Sequence, residues 1–191
     1  MPQNKLFRDF RKLNRLIEDG SVFTAFDTET TGLHPVYNRI IEIGAVKFDK
    51  NGVIGTFSQL VNPQTVISPQ ITKICHIDNL MVDSCPTIQD ILPKFLEFIH
   101  NTILIAHNAN FDVNFVNTEL ERCGMGNLPN HIVDTLELSK WAYPRLGKYS
   151  QPFLAAALQI DVKNAHRADD DALVCKNIFL RCIRDTKSIQ K

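Results

Sequence analysis

The stretch VFTAFDTETTGL, residues 22–33, starts as an apolar segment and continues into two acidic residues. The apolar run over 22–26 is typical of a strand buried at the centre of a sheet. Alternate residues of a strand point to the same face, so Asp27 and Glu29 would place two carboxylates side by side where this strand ends. Such a pair suits a divalent cation such as magnesium, which prefers oxygen ligands. The alternative for an isolated Asp-x-Glu is a solvated strand end.

Two more strands follow this segment and predict a β-meander. Residues 40–48 alternate between apolar and polar, residues 49–52 form a turn, and residues 53–61 have the pattern of a third strand. The rest of the chain predicts a helix over 88–99, a strand over 103–106, a helix that Asn110 caps and that runs through Arg122, a strand at 132–133, and helices over 135–142, 150–158 and 168–184. Strands that alternate with helices in this way indicate an α/β domain with a mixed sheet.

Two later motifs bring further acids to the starts of predicted helices. In HNANFD, residues 107–112, Asp112 falls in the first turn of a helix that leaves an interior strand. A carboxylate there also suits the partly positive end of a helix, so Asp112 alone decides nothing. In HRADDD, residues 166–171, His166 precedes three acids that open the last helix. Because histidine exchanges protons near neutral pH, His166 is a candidate acid or base.

Composition limits the class of protein. The chain has 191 residues, 44% of them hydrophobic, which predicts a single globular domain over residues 21–185. Lys plus Arg and Asp plus Glu are equal at 21 each, so charge by itself does not indicate nucleic-acid binding. Five cysteines without a Cys-x-x-Cys pair argue against a disulfide framework or a zinc site. The absence of a signal-peptide core or bilayer-spanning stretch completes the prediction of a soluble, cytoplasmic protein.

The N-terminal segment, residues 1–20, is predicted to form an amphipathic helix centred on residues 3–18. Its apolar stripe and its basic face consist, respectively, of Leu6, Phe10, Leu13 and Ile17, and of Lys5, Arg8, Lys12 and Arg15. The preferred interpretation is a surface helix that packs through its apolar stripe. The alternative is an arm that binds nucleic acid.

Three segments, FDTETTGL, LIAHNANFDVNF and HRADDDA, resemble in order and spacing the three motifs of the DEDDh (DnaQ-like) 3'-5' exonucleases, the family of the proofreading epsilon subunit of bacterial DNA polymerase III. The resemblance extends over roughly residues 21–180. It implies four metal-binding acids and a general base, namely Asp27, Glu29, Asp112 and Asp171, and His166. A sister group has tyrosine four residues before its last aspartate, where this chain has Arg167, so the resemblance implies the histidine subclass.

The same resemblance implies a fold and a chemistry. The fold would be ribonuclease-H-like, a five-stranded mixed sheet with helices on both faces, which brings the four acids to one end of the sheet. Two Mg²⁺ or Mn²⁺ ions would act there in the release of 5'-mononucleotides from a 3' end. The residues implied to contact or support the terminal nucleotide are Thr30, Thr31, Gly32, Leu33, Asn108 and Phe111.

One position departs from the family pattern. Family members often have a glycine where this chain has His76, next to Cys75. The loss of that glycine is expected to reshape the nucleotide pocket. His76 would then either contact the substrate or be an exposed loop residue.

The motifs leave the substrate open. DNA is favoured, with a DNA polymerase as a partner, and the alternatives are RNA 3' ends or short oligoribonucleotides. A non-catalytic nucleic-acid-binding module is a further alternative, but all five catalytic positions are filled, which favours an enzyme. The chain ends soon after its last predicted helix, as expected for a bare exonuclease domain or a free-standing enzyme.

Overall fold

A mixed sheet of five strands forms the centre of the molecule, in a computed structural model that describes residues 5–163 and 166–187. The strands are β1 (Phe23–Thr30), β2 (Ile40–Asp49), β3 (Gly52–Leu60), β4 (Ile103–Ala106) and β5 (Ile132–Asp134). Their order across the sheet is β3-β2-β1-β4-β5. The first three pair antiparallel as the predicted meander, whereas β4 and β5 run parallel to β1. The predicted α/β fold with a mixed sheet is confirmed.

Helices cover both faces of this sheet. They are α1 (Leu13–Glu18), α2 (Pro69–Cys75), α3 (Asn79–Val82), α4 (Ile88–Phe98), α5 (Asn110–Arg122), α6 (Thr135–Ala142), α7 (Gln151–Ala157) and α8 (Ala168–Thr186). One core lies against α4 and α5, and a second lies against α6, α7 and α8. In the second core the rings of Phe23, Phe48 and Phe179 lie 5.2–6.0 Å apart. Within the described ranges, no helix combines the length and the apolar character that a bilayer crossing needs.

Alternation along β1 determines which core each of its side chains joins. Phe23 and Ala25 belong to the core under α8, whereas Phe26 belongs to the core under α5. Because the side-chain period of a strand is two, Asp27 and Glu29 continue the row that faces α8. β1 also runs four residues past the apolar segment, since it stays paired with β2 as far as Thr30.

The predicted N-terminal helix is wrong for its first half. Residues 5–9 are not helical, and Leu6 instead forms a parallel bridge with Ile132 of β5. Phe7 donates its backbone N–H to the carbonyl of Ile132 at 2.7 Å, and Ile132 donates to the carbonyl of Lys5 at 3.0 Å. β5 is an edge strand with unpaired backbone groups, and this pairing satisfies some of them. A 3-10 turn over Phe10–Lys12 then leads into α1, and the predicted residues before Lys5 lie outside the described part of the chain.

Candidate active site

Two elements bring the first three acids together. Asp27 and Glu29 occupy the end of β1 on its α8 face, as described above. Asp112 lies in the first turn of α5, is only 3% exposed, and accepts hydrogen bonds from the backbone N–H and the hydroxyl of Thr28 at 3.0 and 2.7 Å. Since Thr28 stands between Asp27 and Glu29, these bonds tie the start of α5 directly to the acidic end of β1.

The start of α8 brings the remaining two residues to the same place. The potential ligand atoms of Glu29, His166 and Asp171 all lie within 4.8 Å of one another. Asp171 accepts a hydrogen bond from the backbone N–H of His166 at 2.9 Å, and another from the side-chain amide of Gln151 at 2.9 Å. His166 itself is exposed, and its backbone takes the left-handed conformation with φ of 65°. Its imidazole therefore stands at the open side of the acidic cluster.

Burial raises the pKa values of all four acids, and repulsion within the cluster adds to this for Asp27 and Glu29. Burial is the largest cause for each of them, and for Asp27 the charges of Asp112, Asp171 and Glu29 follow, so that its pKa is held well above the usual range. The pKa of Glu29 rises to about 8 and that of Asp112 to about 7, while that of Asp171 is also raised. Four converging carboxylates form a hard, oxygen-rich donor set, and such a set fits Mg²⁺ or Mn²⁺.

An ion pair that the sequence did not predict anchors the start of α8. Glu42 of β2 is fully buried and lies directly opposite Glu29 in the antiparallel register. The guanidinium of Arg167 binds the Glu42 carboxylate through three contacts of 2.6–3.2 Å, and the backbone N–H of Ala168 donates to it at 3.0 Å. Glu42 would otherwise add a further uncompensated negative charge beside Glu29. The sequence feature that could have predicted a buried, paired carboxylate was the acidic residue within the apolar stretch IIEIGAV, residues 40–46.

Gly44 allows α8 to reach the sheet. It lies opposite Asp27 in the register, and a Cβ atom built on it would stand only 2.1 Å from the backbone of Ala168 and Asp169. Any side chain at this position would push the first turn of α8 away from β2, and Asp171 with it. The absence of a side chain at Gly44 is therefore part of what brings Asp171 to the end of β1.

The turn between β4 and α5 is held by Asp134, another residue that the sequence did not single out. Its carboxylate accepts hydrogen bonds from the backbone N–H groups of Asn108, Ala109 and Leu136 at 2.9–3.2 Å. Asn108 is exposed and takes φ of 57° at this turn. His107 points inward instead, with its ring nitrogens 2.9 Å from the Thr135 hydroxyl and from the carbonyl of Tyr149, and burial lowers its pKa. His107 is therefore a structural residue of this turn.

The loop that follows β1 presents its tip to solvent. The Thr30 hydroxyl donates to the carbonyl of Gly32 at 2.7 Å, and the Thr31 hydroxyl accepts from the backbone N–H of Arg39 at 3.0 Å. Both threonine side chains thus stabilise the loop, whereas Leu33 is 75% exposed. Of the other predicted contact residues, Phe111 is half-buried and packs on Phe115, with the ring centroids 4.9 Å apart.

Arg122, at the end of α5, binds the backbone of the same loop. Its guanidinium donates to the carbonyls of Pro35, Val36 and Asn38 at 2.7–3.1 Å, and it forms an ion pair with the buried Glu119 at 2.8 Å. Glu119 is buried whereas Arg122 is not, and hydrogen bonds from a charged donor such as this guanidinium are stronger than those from a neutral one. The exposed side chains of the loop are therefore presented from a rigid support.

The departure from the family pattern at His76 has a backbone explanation. His76 is the C-cap of α2, is exposed, and takes φ of 59°, a left-handed conformation in which glycine is favoured. The structure thus keeps at this position the conformation that a glycine would adopt without strain. His76 is exposed at the end of α2, and its contact with the substrate stays a prediction.

Replacing His76 should therefore stabilise the protein if the new residue is glycine. We expect His76→Gly to raise the free energy of unfolding by about 0.5–1 kcal/mol, since relief of the left-handed strain exceeds the entropy that glycine gains in the unfolded chain. His76→Ala is the matched control, because it removes the imidazole but keeps the strain. Urea unfolding of both variants measures the effect, and equal stabilities of the two would contradict the backbone explanation.

A family model and two known proteins match most of this chain. The RNase_T exonuclease family model matches residues 24–179. The DNA polymerase III subunit epsilon of Treponema pallidum is 45% identical over 169 residues, which cover 87% of this chain and 79% of that protein. The PolC-type DNA polymerase III of Caldanaerobacter subterraneus subsp. tengcongensis is 42% identical over 167 residues, but the match covers only 12% of that protein.

Solved structures resemble the fold closely. Exonuclease X, solved with a 5' overhanging duplex DNA, superposes with a TM-score of 0.69 at 29% identity, and the match covers 87% of this chain and 93% of that one. Exonuclease I of E. coli, solved with a dA16 oligonucleotide, superposes with a TM-score of 0.77 at 19% identity, over 89% of this chain and 42% of that one. The latter similarity extends to the fold alone.

Proposed function

The chain belongs to the RNase_T exonuclease family, and from this premise we propose that it removes 5'-mononucleotides one at a time from the 3' ends of DNA. It is a nuclease with the α/β fold of other exonucleases. The observation that carries the proposal is the convergence of four carboxylates and one histidine, from β1, α5 and the start of α8, at a single end of the sheet.

Metal binding is the first part of the proposed chemistry. Enzymes of this family generally use divalent metal ions, and we propose that Asp27, Glu29, Asp112 and Asp171 hold two Mg²⁺ or Mn²⁺ ions. When bound, these ions would offset the charge of the four acids and of the scissile phosphate. The raised pKa values support this assignment, because the acids are unfavourable as a bare cluster and become favourable ligands beside a cation.

Proton transfer by His166 is the second part of the proposed chemistry. Its exposed imidazole lies beside Glu29 and Asp171, where it would take the proton from the attacking water. The backbone N–H of His166 stays bonded to Asp171 whatever the side chain does, so proton transfer and ligand positioning involve different atoms of the same residue. No serine or cysteine nucleophile is required, since water attacks the phosphate directly.

The third part of the proposal is the binding site of the 3' terminal nucleotide. We place it on the loop after β1, with the backbone of Thr30, Thr31 and Gly32 near its 3' hydroxyl and the exposed Leu33 against its base. Asn108 would lie beside the strand, and the packed Phe111 would support the turn. The Treponema pallidum relative is a DNA polymerase III subunit, which supports DNA as the substrate and a DNA polymerase as a partner. The five free cysteines support a reducing, cytoplasmic setting.

A single assay tests this proposal. Matched 5'-labelled DNA and RNA strands are incubated with the protein and Mg²⁺, Mn²⁺ or chelator, and the products are resolved by length. We expect a ladder that shortens from the 3' end of DNA, requires metal, and stops when the 3' hydroxyl is blocked. Cleavage of circular single strands at the rate of linear ones would contradict an exonuclease, and faster shortening of RNA would reassign the substrate.

A further inference from the structure

A groove runs between the N-terminal segment and the end of β4. Its volume is about 360 Å³, and it is lined by residues that include Leu6, Arg8, Phe10, Asn108 and Leu136, which we call the arm groove. Asn108 belongs both to this groove and to the residues proposed to lie beside the substrate. The arm groove would therefore adjoin the part of the active site where we place the substrate strand.

The topology of the sheet indicates the path that a bound strand would take from the active site to the arm groove. β1, β4 and β5 are parallel, so their carboxyl ends lie at one edge of the sheet. β1 ends at the acidic cluster, the neighbouring β4 ends just before Asn108, and β5 carries the N-terminal segment on its outer side. A strand that starts at the loop after β1 and crosses the end of β4 next reaches Arg8.

The arm groove offers one basic side chain, that of Arg8, to a backbone phosphate. Arg8 is exposed, and within residues 5–163 and 166–187 no ion pair involves it. The two acids of the groove are already engaged, because Asp134 accepts three backbone N–H groups and Glu137 pairs with Lys140 at 2.7 Å. Among the described residues that line the groove, Arg8 is therefore the charged side chain that has no bonded partner and can bind a phosphate.

The arm groove is also preformed. Backbone hydrogen bonds fix the segment around Leu6 to β5, and the ring of Phe10 packs on Trp141 with the centroids 5.9 Å apart. A site that is already ordered loses less entropy when it binds a flexible strand. This distinguishes Arg8 from a basic residue on a loosely attached helix.

We propose that the arm groove binds the substrate strand on the 5' side of the scissile phosphate, with Arg8 contacting a backbone phosphate. This inference rests on the proposed exonuclease function and adds a binding site to it. The ligand is the backbone of a single-stranded nucleic acid, recognised without regard to sequence. The alternative interpretation of the N-terminal segment, an arm that binds nucleic acid, then applies to its extended part rather than to a helix.

The test compares two substrates that differ in the presence of an upstream strand. One is a DNA single strand of about 20 nucleotides, and the other is the p-nitrophenyl ester of thymidine 5'-monophosphate, which has no upstream nucleotide. For the strand, we expect Arg8→Ala to lower kcat/KM about 5–10-fold through KM and to reduce the slope of log kcat/KM against log salt by about 0.7, the loss of one phosphate contact. For the ester, kcat/KM should stay at the parent value.

Arg11→Ala is the matched control. Arg11 is an exposed arginine three residues farther on that does not line the arm groove, so its variant should behave as the parent on both substrates. Equal losses for Arg8→Ala and Arg11→Ala, an unchanged slope for Arg8→Ala, or an equal loss on strand and ester would each overturn the inference. Failure of the parent to hydrolyse either substrate would instead overturn the proposed function itself.

Discussion

Asp27→Asn should abolish exonuclease activity while leaving the chelator-treated protein at least as stable as the parent. Burial and the charges of Asp112, Asp171 and Glu29 all oppose ionisation of Asp27 in the folded protein. An uncharged side chain of the same size removes that repulsion, and sites built for function often conflict with stability in this way. A proposed metal ligand is lost at the same time, so turnover should fall to the background of the assay.

The stability of the metal-free parent should depend on pH in a definite direction. The pKa values of Glu29 and Asp112 are raised to about 8 and about 7, so in this range the folded protein binds protons that the unfolded chain does not. The stability that these two groups contribute is then greatest at low pH and is lost as pH rises through these values. With chelator, the parent should melt at a lower temperature near about pH 8.5 than near about pH 5.5, and Asp27→Asn should show a smaller difference.

Metal should make the parent more stable than Asp27→Asn, which reverses the order of their melting temperatures in chelator. Ligands that bind only the folded state stabilise it by mass action, so excess Mn²⁺ should raise the melting temperature of the parent and do far less for Asp27→Asn. Asp169→Asn is the matched control, because Asp169 is an acid in the first turn of α8 that contacts Ser58 rather than the cluster. Thermal melts with chelator and with Mn²⁺ measure all three proteins. Equal metal-induced shifts in the parent and in Asp27→Asn would show that Asp27 is not a ligand.

Local sequence patterns predicted the elements well where burial decides them. β4 begins and ends at the predicted residues, α5 ends at the predicted Arg122 but already includes Asn110, its predicted cap, and the odd-numbered face of β1 follows from strand alternation alone. The helix prediction for the N-terminal segment was wrong in its first half, although the apolar residues there fit a helical period. The free edge of β5 at Ile132 offers backbone partners that only an extended chain can use. Such an edge lies about 125 residues away in sequence, so no local window contains the competing structure.

The sequence predicted the motif residues of the candidate site but not the residues that support them. The motifs contain the acids and the histidine that the structure brings together, but they gave no structural role to Glu42, Gly44 and Arg167, which hold α8 against the sheet. A buried acid has a clear chemical requirement, a compensating cation, yet the sequence does not say which of 21 Lys and Arg residues provides it. Arg167 appeared in the motif only as a residue that is not tyrosine. Its ion pair with Glu42 gives it a structural reason to precede α8.

His166→Ala should lower kcat by roughly 100-fold to 10,000-fold while metal binding stays nearly normal, the loss expected when a general base is removed. The acids should keep their places because the bond to Asp171 comes from the backbone N–H of residue 166, which alanine retains. Alanine, however, tolerates the left-handed backbone at this position poorly, so a loss of activity could come from the backbone.

His166→Gly and His166→Asn separate these causes, since both residues adopt a left-handed conformation readily and neither is a base at neutral pH. If proton transfer is the role of His166, all three variants should lose kcat to a similar extent and respond to Mn²⁺ in thermal melts as the parent does. Because the side chain is exposed, imidazole from the buffer can enter the space left in His166→Gly and should restore part of its activity. Full activity in the glycine or asparagine variant would remove His166 from the mechanism, and loss of the Mn²⁺ response would make it a metal-site residue instead of a base.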